Sequence, residues 1–145
     1  MRGGPLTLNQ CLKEKRSMVF DTNVLINFWN KKLEPGLLDR IPRQQRFYTI
    51  ISGAEFFRNC SADQIKRRQD WLTAKGMKRL HLSSNVEKTF WNLILHYPRV
   101  PGGIPDRLIA AITLVAPNSA LATENINDFK FIAGLHWVDD FAPPT

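Results

Sequence analysis

The order of apolar runs and periodic stretches predicts an α/β fold, with a mainly parallel central sheet flanked by helices. Three observations carry it. Short apolar runs, such as residues 18–20 and 47–51, are followed by segments whose apolar residues recur at helical spacing. That alternation persists almost throughout the chain, as in a succession of strand–helix units. The chain of 145 residues fits one ordinary domain, and its 43% hydrophobic and 23% charged residues are those of a globular protein.

Met18-Val19-Phe20 is the first expected strand, stopping at Asp21, with a helix through the VLINFW stretch behind it. Pro35-Gly36 marks a turn. Residues 47–51, aromatic and β-branched throughout, are the best strand candidate and run into Ser52, with a helix expected from Gly53 to about Asn59. Ser61 opens a charge-rich helix through about Lys75, which Gly76 ends. Residues 80–82 form a third expected strand, and Ser83 or Ser84 caps a helix carrying Val86, Phe90, Leu93 and Ile94. Residues 98–105 hold three prolines and two glycines and read as a loop. Pro105 then opens an amphipathic helix, kept small on one side by Ala110 and Ala111. Residues 120–122 are a fourth strand ending at Thr123; Phe129 and Phe131 flank a short helix or turn, and Trp137-Val138 is a last strand. Because Met18 opens the pattern, residues 1–17 are set apart as an N-terminal extension, an alternative start or a flexible arm, and residues 18–145 as the domain.

Composition narrows the function classes. The longest apolar run, residues 108–116, is too short to span a bilayer, and the polar, basic start lacks the apolar core of a secretory signal. Two cysteines without a CxxC argue against a zinc site or a disulfide framework and suit a reducing cytoplasm. The net charge of +7 attracts polyanions such as nucleic acid, an anionic membrane or an acidic protein, although a basic surface also serves solubility.

The informative feature is where the acids fall. Asp21 follows the 18–20 strand directly, Glu55 lies one turn beyond the 47–51 strand, and Asn125 and Asp128 follow the 120–122 strand. In a parallel sheet the carboxyl ends of the strands line one crevice, the usual ligand site, and Asp106 can lean into it from its helix start. Carboxylates converging without Lys or Arg among them repel unless a cation sits there, and hard oxygen ligands suit Mg²⁺ or Mn²⁺. Such a centre supports metal-assisted hydrolysis of a phosphodiester. Each acid also has a purely structural reading. Ser52-Gly53-Ala54-Glu55 is a capping box, Asp21 and Asp106 suit helix N-termini, and Asp128 suits a turn. Those readings leave unexplained why the acids fall together at strand ends with no counter-charge in the motifs.

Four segments, in order, resemble the motifs of the PIN-domain family. Phe20-Asp21-Thr22-Asn23-Val24-Leu25-Ile26 is similar to the family's opening strand, D-[ST]-[NS] and apolar helix; Ser52-Gly53-Ala54-Glu55-Phe56 resembles the second motif. Pro105-Asp106-Arg107-Leu108-Ile109-Ala110-Ala111 resembles D-x-x-I-A-A, and Ala122-Thr123-Glu124-Asn125 with Asp128-Phe129 resembles T-x-[ND]-x-x-D-F. By size and plan the nearest subgroup is the VapC-like toxins of toxin–antitoxin pairs. The resemblance implies an Mg²⁺- or Mn²⁺-dependent endoribonuclease, a homodimer, silenced by a cognate antitoxin protein. It also implies Asp21, Glu55 and Asp106 as metal ligands, the fourth position being Asn125, Asp128 or a water held by either. Family members often carry an acid where Asn125 stands, and a basic residue where Glu124 stands. Thr22, Asn23 and Thr123 would orient ligands or phosphate, or equally serve as turn and cap residues.

RNA would be gripped by Arg43, Arg46, the Lys66-Arg67-Arg68 run, Lys75, Lys78 and Arg79, with Arg99 and Arg107 nearest the acids. Trp29, Trp71 and Trp91 read mostly as core packing, and His81, His96 and His136 form no motif. Two further readings stand beside the toxin: a PIN nuclease of RNA processing outside toxin–antitoxin systems, and a non-catalytic PIN-like module binding RNA or protein. A phosphatase on another α/β fold is disfavoured, since Asp21 lacks DxD spacing and no Gly-rich phosphate loop exists.

Overall fold

A computed structural model describes residues 3–99 and 102–141; residues 1–2 of the expected extension, 100–101 of the expected loop and 142–145 of the domain end lie outside them. In chain order the elements are β1 (Gly4–Pro5), α1 (Leu8–Lys13), β2 (Ser17–Phe20), α2 (Thr22–Trp29), β3 (Arg46–Thr49), α3 (Ile50–Phe56), α4 (Ala62–Ala74), β4 (Lys78–Leu80), α5 (Ser84–His96), α6 (Ile104–Val115), β5 (Ser119–Ala122) and β6 (His136–Val138). The strands form one sheet in the order β1-β6-β5-β2-β3-β4, and every pairing is parallel.

The apolar runs are continuous because both sheet faces are covered. Along β2, Met18 and Phe20 enter one core with Leu8, Leu25, Phe56 and Leu72, while Val19 enters the other with Val86, Leu93, Ile109 and Leu121. Ala110 and Ala111, fully buried, let α6 lie close on that second face. Gly76 follows the end of α4 with φ +68°, the left-handed geometry that stops a helix. No helix among the described residues is long and apolar enough to cross a membrane.

Three boundaries differ from the sequence reading. The 47–51 strand stops at Thr49, and α3 begins at Ile50, three residues before the expected Gly53. Thr49 rather than Ser52 is the N-cap, its hydroxyl accepting from Ser52 N at 3.0 Å. The expected capping box at Ser52 and Glu55 therefore does not form, and Glu55 stands inside the helix. Strand β4 is Lys78–Leu80, not residues 80–82: pairing with β3 fixes the register as Phe47↔Lys78 and Thr49↔Leu80 and ends there. Finally, the described part of residues 1–17 is built into the sheet and core. Gly4 and Pro5 pair with β6, Thr7 closes a capping box on α1, and Leu8 and Cys11 are buried.

The chain turns from β2 toward β3 and β4 on one side, while β5 and β6 lie on the other. That reversal of strand order places a crevice between the carboxyl ends of β2 and β5.

Candidate active site

Asp21 sits at this reversal point as the first residue after β2 and the N-cap of α2. It is 4% exposed, with Oδ1 accepting from Thr22 N at 2.8 Å. The first residue after β5 is Thr123, whose hydroxyl donates to Asp21 Oδ2 at 2.9 Å and accepts from Asn125 N at 2.9 Å. Both Asp21 oxygens are thus held by neighbours fixed to the sheet.

Glu55 reaches the same crevice from α3. The Thr22 hydroxyl donates to Glu55 Oε1 at 2.6 Å, and the fully buried Ser52 hydroxyl lies 3.1 Å from Thr22 Oγ1. Thr22 thereby ties two acids together, Asp21 through its amide and Glu55 through its hydroxyl. Asp106 is in the first turn of α6, on which Pro105 occupies one of the first two positions. Asp128 ends a single 3₁₀ turn, Ile126–Asp128, and shares a side-chain hydrogen bond with Asp106. Gly102, at φ +83°, leaves room for the pair: a Cβ there would lie 2.7 Å from Asp106 Oδ2 and 3.1 Å from Asp128 Cβ.

The electrostatics mark a shared negative field. Burial first, then the charges of Asp21, Asp128 and Glu55 and the hydrogen bond with Asp128, push the Asp106 carboxyl up to about 7. Burial also raises Asp21, against the hydrogen bonds from Thr123 and Thr22, while Glu55 and Asp128 add to the rise. The ion pairs among the described residues are Arg16–Glu14 and Lys66–Asp70, and neither involves these four acids. An all-oxygen, anionic donor set of this kind fits Mg²⁺ or Mn²⁺. As the side chains stand, no three acidic, His or Cys groups among the described residues are gathered closely enough to hold a metal ion.

The other expected site residues separate by burial. Thr123, expected to touch phosphate, is fully buried and committed to Asp21 and Asn125. Arg107 is 8% exposed and its Nε donates to Tyr97 O at 2.9 Å. Asn125 and Arg99 are exposed and Asn23 is half-buried. Arg46, expected to grip RNA, is buried instead, donating to the carbonyls of Ile41, Lys75 and Leu38 at 2.8, 2.6 and 3.1 Å. Arg68 is likewise engaged, donating to Phe56 O at 2.7 Å and lying over the Phe56 and Trp29 rings. Trp29 and Trp71 pack edge to face with centroids 5.6 Å apart, but Trp91 is 59% exposed rather than in the core.

Sequence reasoning treated Ser52 only as a cap and passed over Gly102. The signal for Ser52 was its spacing before Glu55. The Gly102 contacts are long-range and leave no local trace.

No family model matches the chain, and no curated protein matches it. Solved structures do. A toxin–antitoxin complex from Klebsiella pneumoniae matches with 24% identity and TM-score 0.63, covering 82% of this chain and 95% of that one. The VapBC2 complex of Rickettsia felis, bound to a fragment of promoter DNA, matches with 20% identity and TM-score 0.66, covering 83% and 96%. VapBC-1 from nontypeable Haemophilus influenzae matches with 21% identity and TM-score 0.66, covering 86% and 98%. At these identities the likeness shows the fold, and it spans nearly the whole of each matched chain.

Proposed function

We propose that this chain is a divalent-metal-dependent endoribonuclease and the toxin of a toxin–antitoxin pair, with a cognate antitoxin protein as its partner. One observation carries the reading: four carboxylates from separate elements meet at the strand-order reversal, and the charges acting on Asp106 there are those of other carboxylates. The fold shared with toxin–antitoxin complexes supports the toxin role and the antitoxin partner.

Asp21, Glu55 and Asp106 would hold the Mg²⁺ or Mn²⁺, with Asp128 or Asn125 completing the set. Bound there, the ion supplies a water acidified for attack and offsets charge building on the phosphate. The chain's own contribution is positioning. Thr123 and Thr22 hold Asp21, and the Thr22 hydroxyl aims Glu55. Loading the site draws the acids together and discharges the proton that Asp106 otherwise shares with Asp128. Basic side chains outside the crevice would hold the RNA backbone without selecting sequence. The homodimer implied by the family resemblance belongs to the same proposal and is read by sedimentation of purified protein.

The deciding experiment is cleavage of total RNA by antitoxin-free protein with Mn²⁺, with Mg²⁺ and with chelator, beside Asp21→Asn and Asp106→Asn. Metal-dependent cutting lost in both variants is the expected result. Cutting that survives both substitutions, or none by folded protein, returns the acids to helix capping and favours a binding module.

A further inference from the structure

The two edges of the sheet are unlike. At one end β1 is two residues long and includes Pro5, which has no N–H to offer, so that edge is blunt. At the other end β4 bonds only to β3 among the described residues, so its outer row of backbone groups faces outward.

Hollows flank that open edge on both faces. Lys78 and Leu80 share one face of β4 and Arg79 takes the other. On the Leu80 face, Leu82, Val86, Phe90 and Leu108 line an apolar groove between α5 and α6, with Glu87 at its margin. Leu82 is 55% exposed there. On the Arg79 face, Tyr48, Phe57, Met77, Arg79 and His81 line a second hollow against α3 and α4. Its one carboxylate, Asp70, is paired with Lys66. Arg79 is exposed, makes no ion pair among the described residues, and its charge lowers the Tyr48 hydroxyl against the larger effect of burial.

We infer that the β4 edge is a docking site for an extended segment of a partner protein, acidic at the alternate positions that meet Arg79 and apolar at those that meet Leu82. An added strand finds unused backbone groups along the edge and one hollow for each of its two faces. The charge asymmetry selects the occupant: a basic, unpaired residue lies on one face and an apolar floor on the other. Edge charges that serve only to prevent aggregation do not require an exposed leucine over an apolar groove beside them. This inference does not depend on the nuclease reading, because it concerns the sheet edge and not the acids.

The probe is a short acetylated, amidated peptide alternating Glu and Val, titrated into the whole ¹⁵N-labelled chain. Its scrambled isomer and a Lys–Val alternating peptide serve as controls. Saturable shifts confined to the amides of residues 77–82 and the two hollows are expected with the Glu–Val peptide alone. Arg79→Glu should weaken that binding about tenfold and transfer preference to the Lys–Val peptide. Leu82→Asp, on the other face, should weaken both. Equal shifts with the scrambled peptide, no shifts at millimolar peptide, or shifts centred on Asp21 and Glu55 overturn the inference. So does an edge already covered by a second copy, seen as a dimer that Arg79→Glu dissociates. Metal-dependent cleavage of RNA is scored separately, so either reading can fail alone.

Discussion

The Thr22 hydroxyl donates to Glu55 Oε1 across 2.6 Å, while the amide of the same residue holds Asp21 Oδ1 at 2.8 Å. One residue at the start of α2 therefore fixes two carboxylates that arrive from different strands. Removing only the hydroxyl tests this. Thr22→Val should lower Mn²⁺ affinity and RNA cleavage by about 10- to 100-fold, the usual effect of losing a group that orients a metal ligand. Thr22→Ser should restore most of both. Titration calorimetry and a cleavage assay on the three proteins check it.

The proton held near Asp106 gives the metal-free protein an unusual pH dependence. Its carboxyl is raised from an ordinary 3.8 to about 7, so the folded state binds more protons than the unfolded chain between those values. Stability contributed by this group is therefore present at low pH and lost as pH rises through about 7. The raised Asp21 acts in the same direction. Melting temperatures measured with chelator should fall from pH 5.5 to pH 8, less steeply in Asp106→Asn. Added Mn²⁺ should raise the melting temperature more at pH 8 than at pH 5.5, since the cation and proton compete.

Gly102 is the backbone allowance for the Asp106–Asp128 pair. Gly102→Ala adds a methyl 2.7 Å from Asp106 Oδ2 at φ +83°, a clash and a conformational penalty together. The cost should be about 1–2 kcal/mol of stability. Displacement of Asp106 should also weaken metal binding, which separates this change from a simple loop effect. Chemical denaturation and Mn²⁺ titration measure the two parts.

Arg46 offers the opposite case, a basic residue whose work is structural. Its guanidinium satisfies three carbonyls, those of Ile41, Lys75 and Leu38, in a buried setting. Arg46→Ala should cost about 3 kcal/mol or more by leaving buried acceptors without donors. Equilibrium unfolding checks the loss. In conditions where the variant remains folded, RNA affinity should be unchanged.

The sequence by itself determined the fold class, most elements and the acids that matter. Those features depend on local pattern: apolar runs fully buried in a parallel sheet, helical periodicity, and turn residues between them. Asp21, Glu55, Asp106 and Asp128 were legible because each stands at a fixed short distance from a strand or helix start. Tertiary structure decided what surrounds them. Where β3 ends and α3 begins was ambiguous locally, because Ile50 and Ile51 suit either state and pairing with β4 sets the strand's length. That boundary moved Glu55 out of its expected cap and onto Thr22. Burial, equally a long-range property, committed Thr123 to Asp21 and put Arg46 inside the protein. The described part of residues 1–17 enters the sheet through two residues of pairing with β6, more than a hundred positions away, and local sequence carries no record of such a contact.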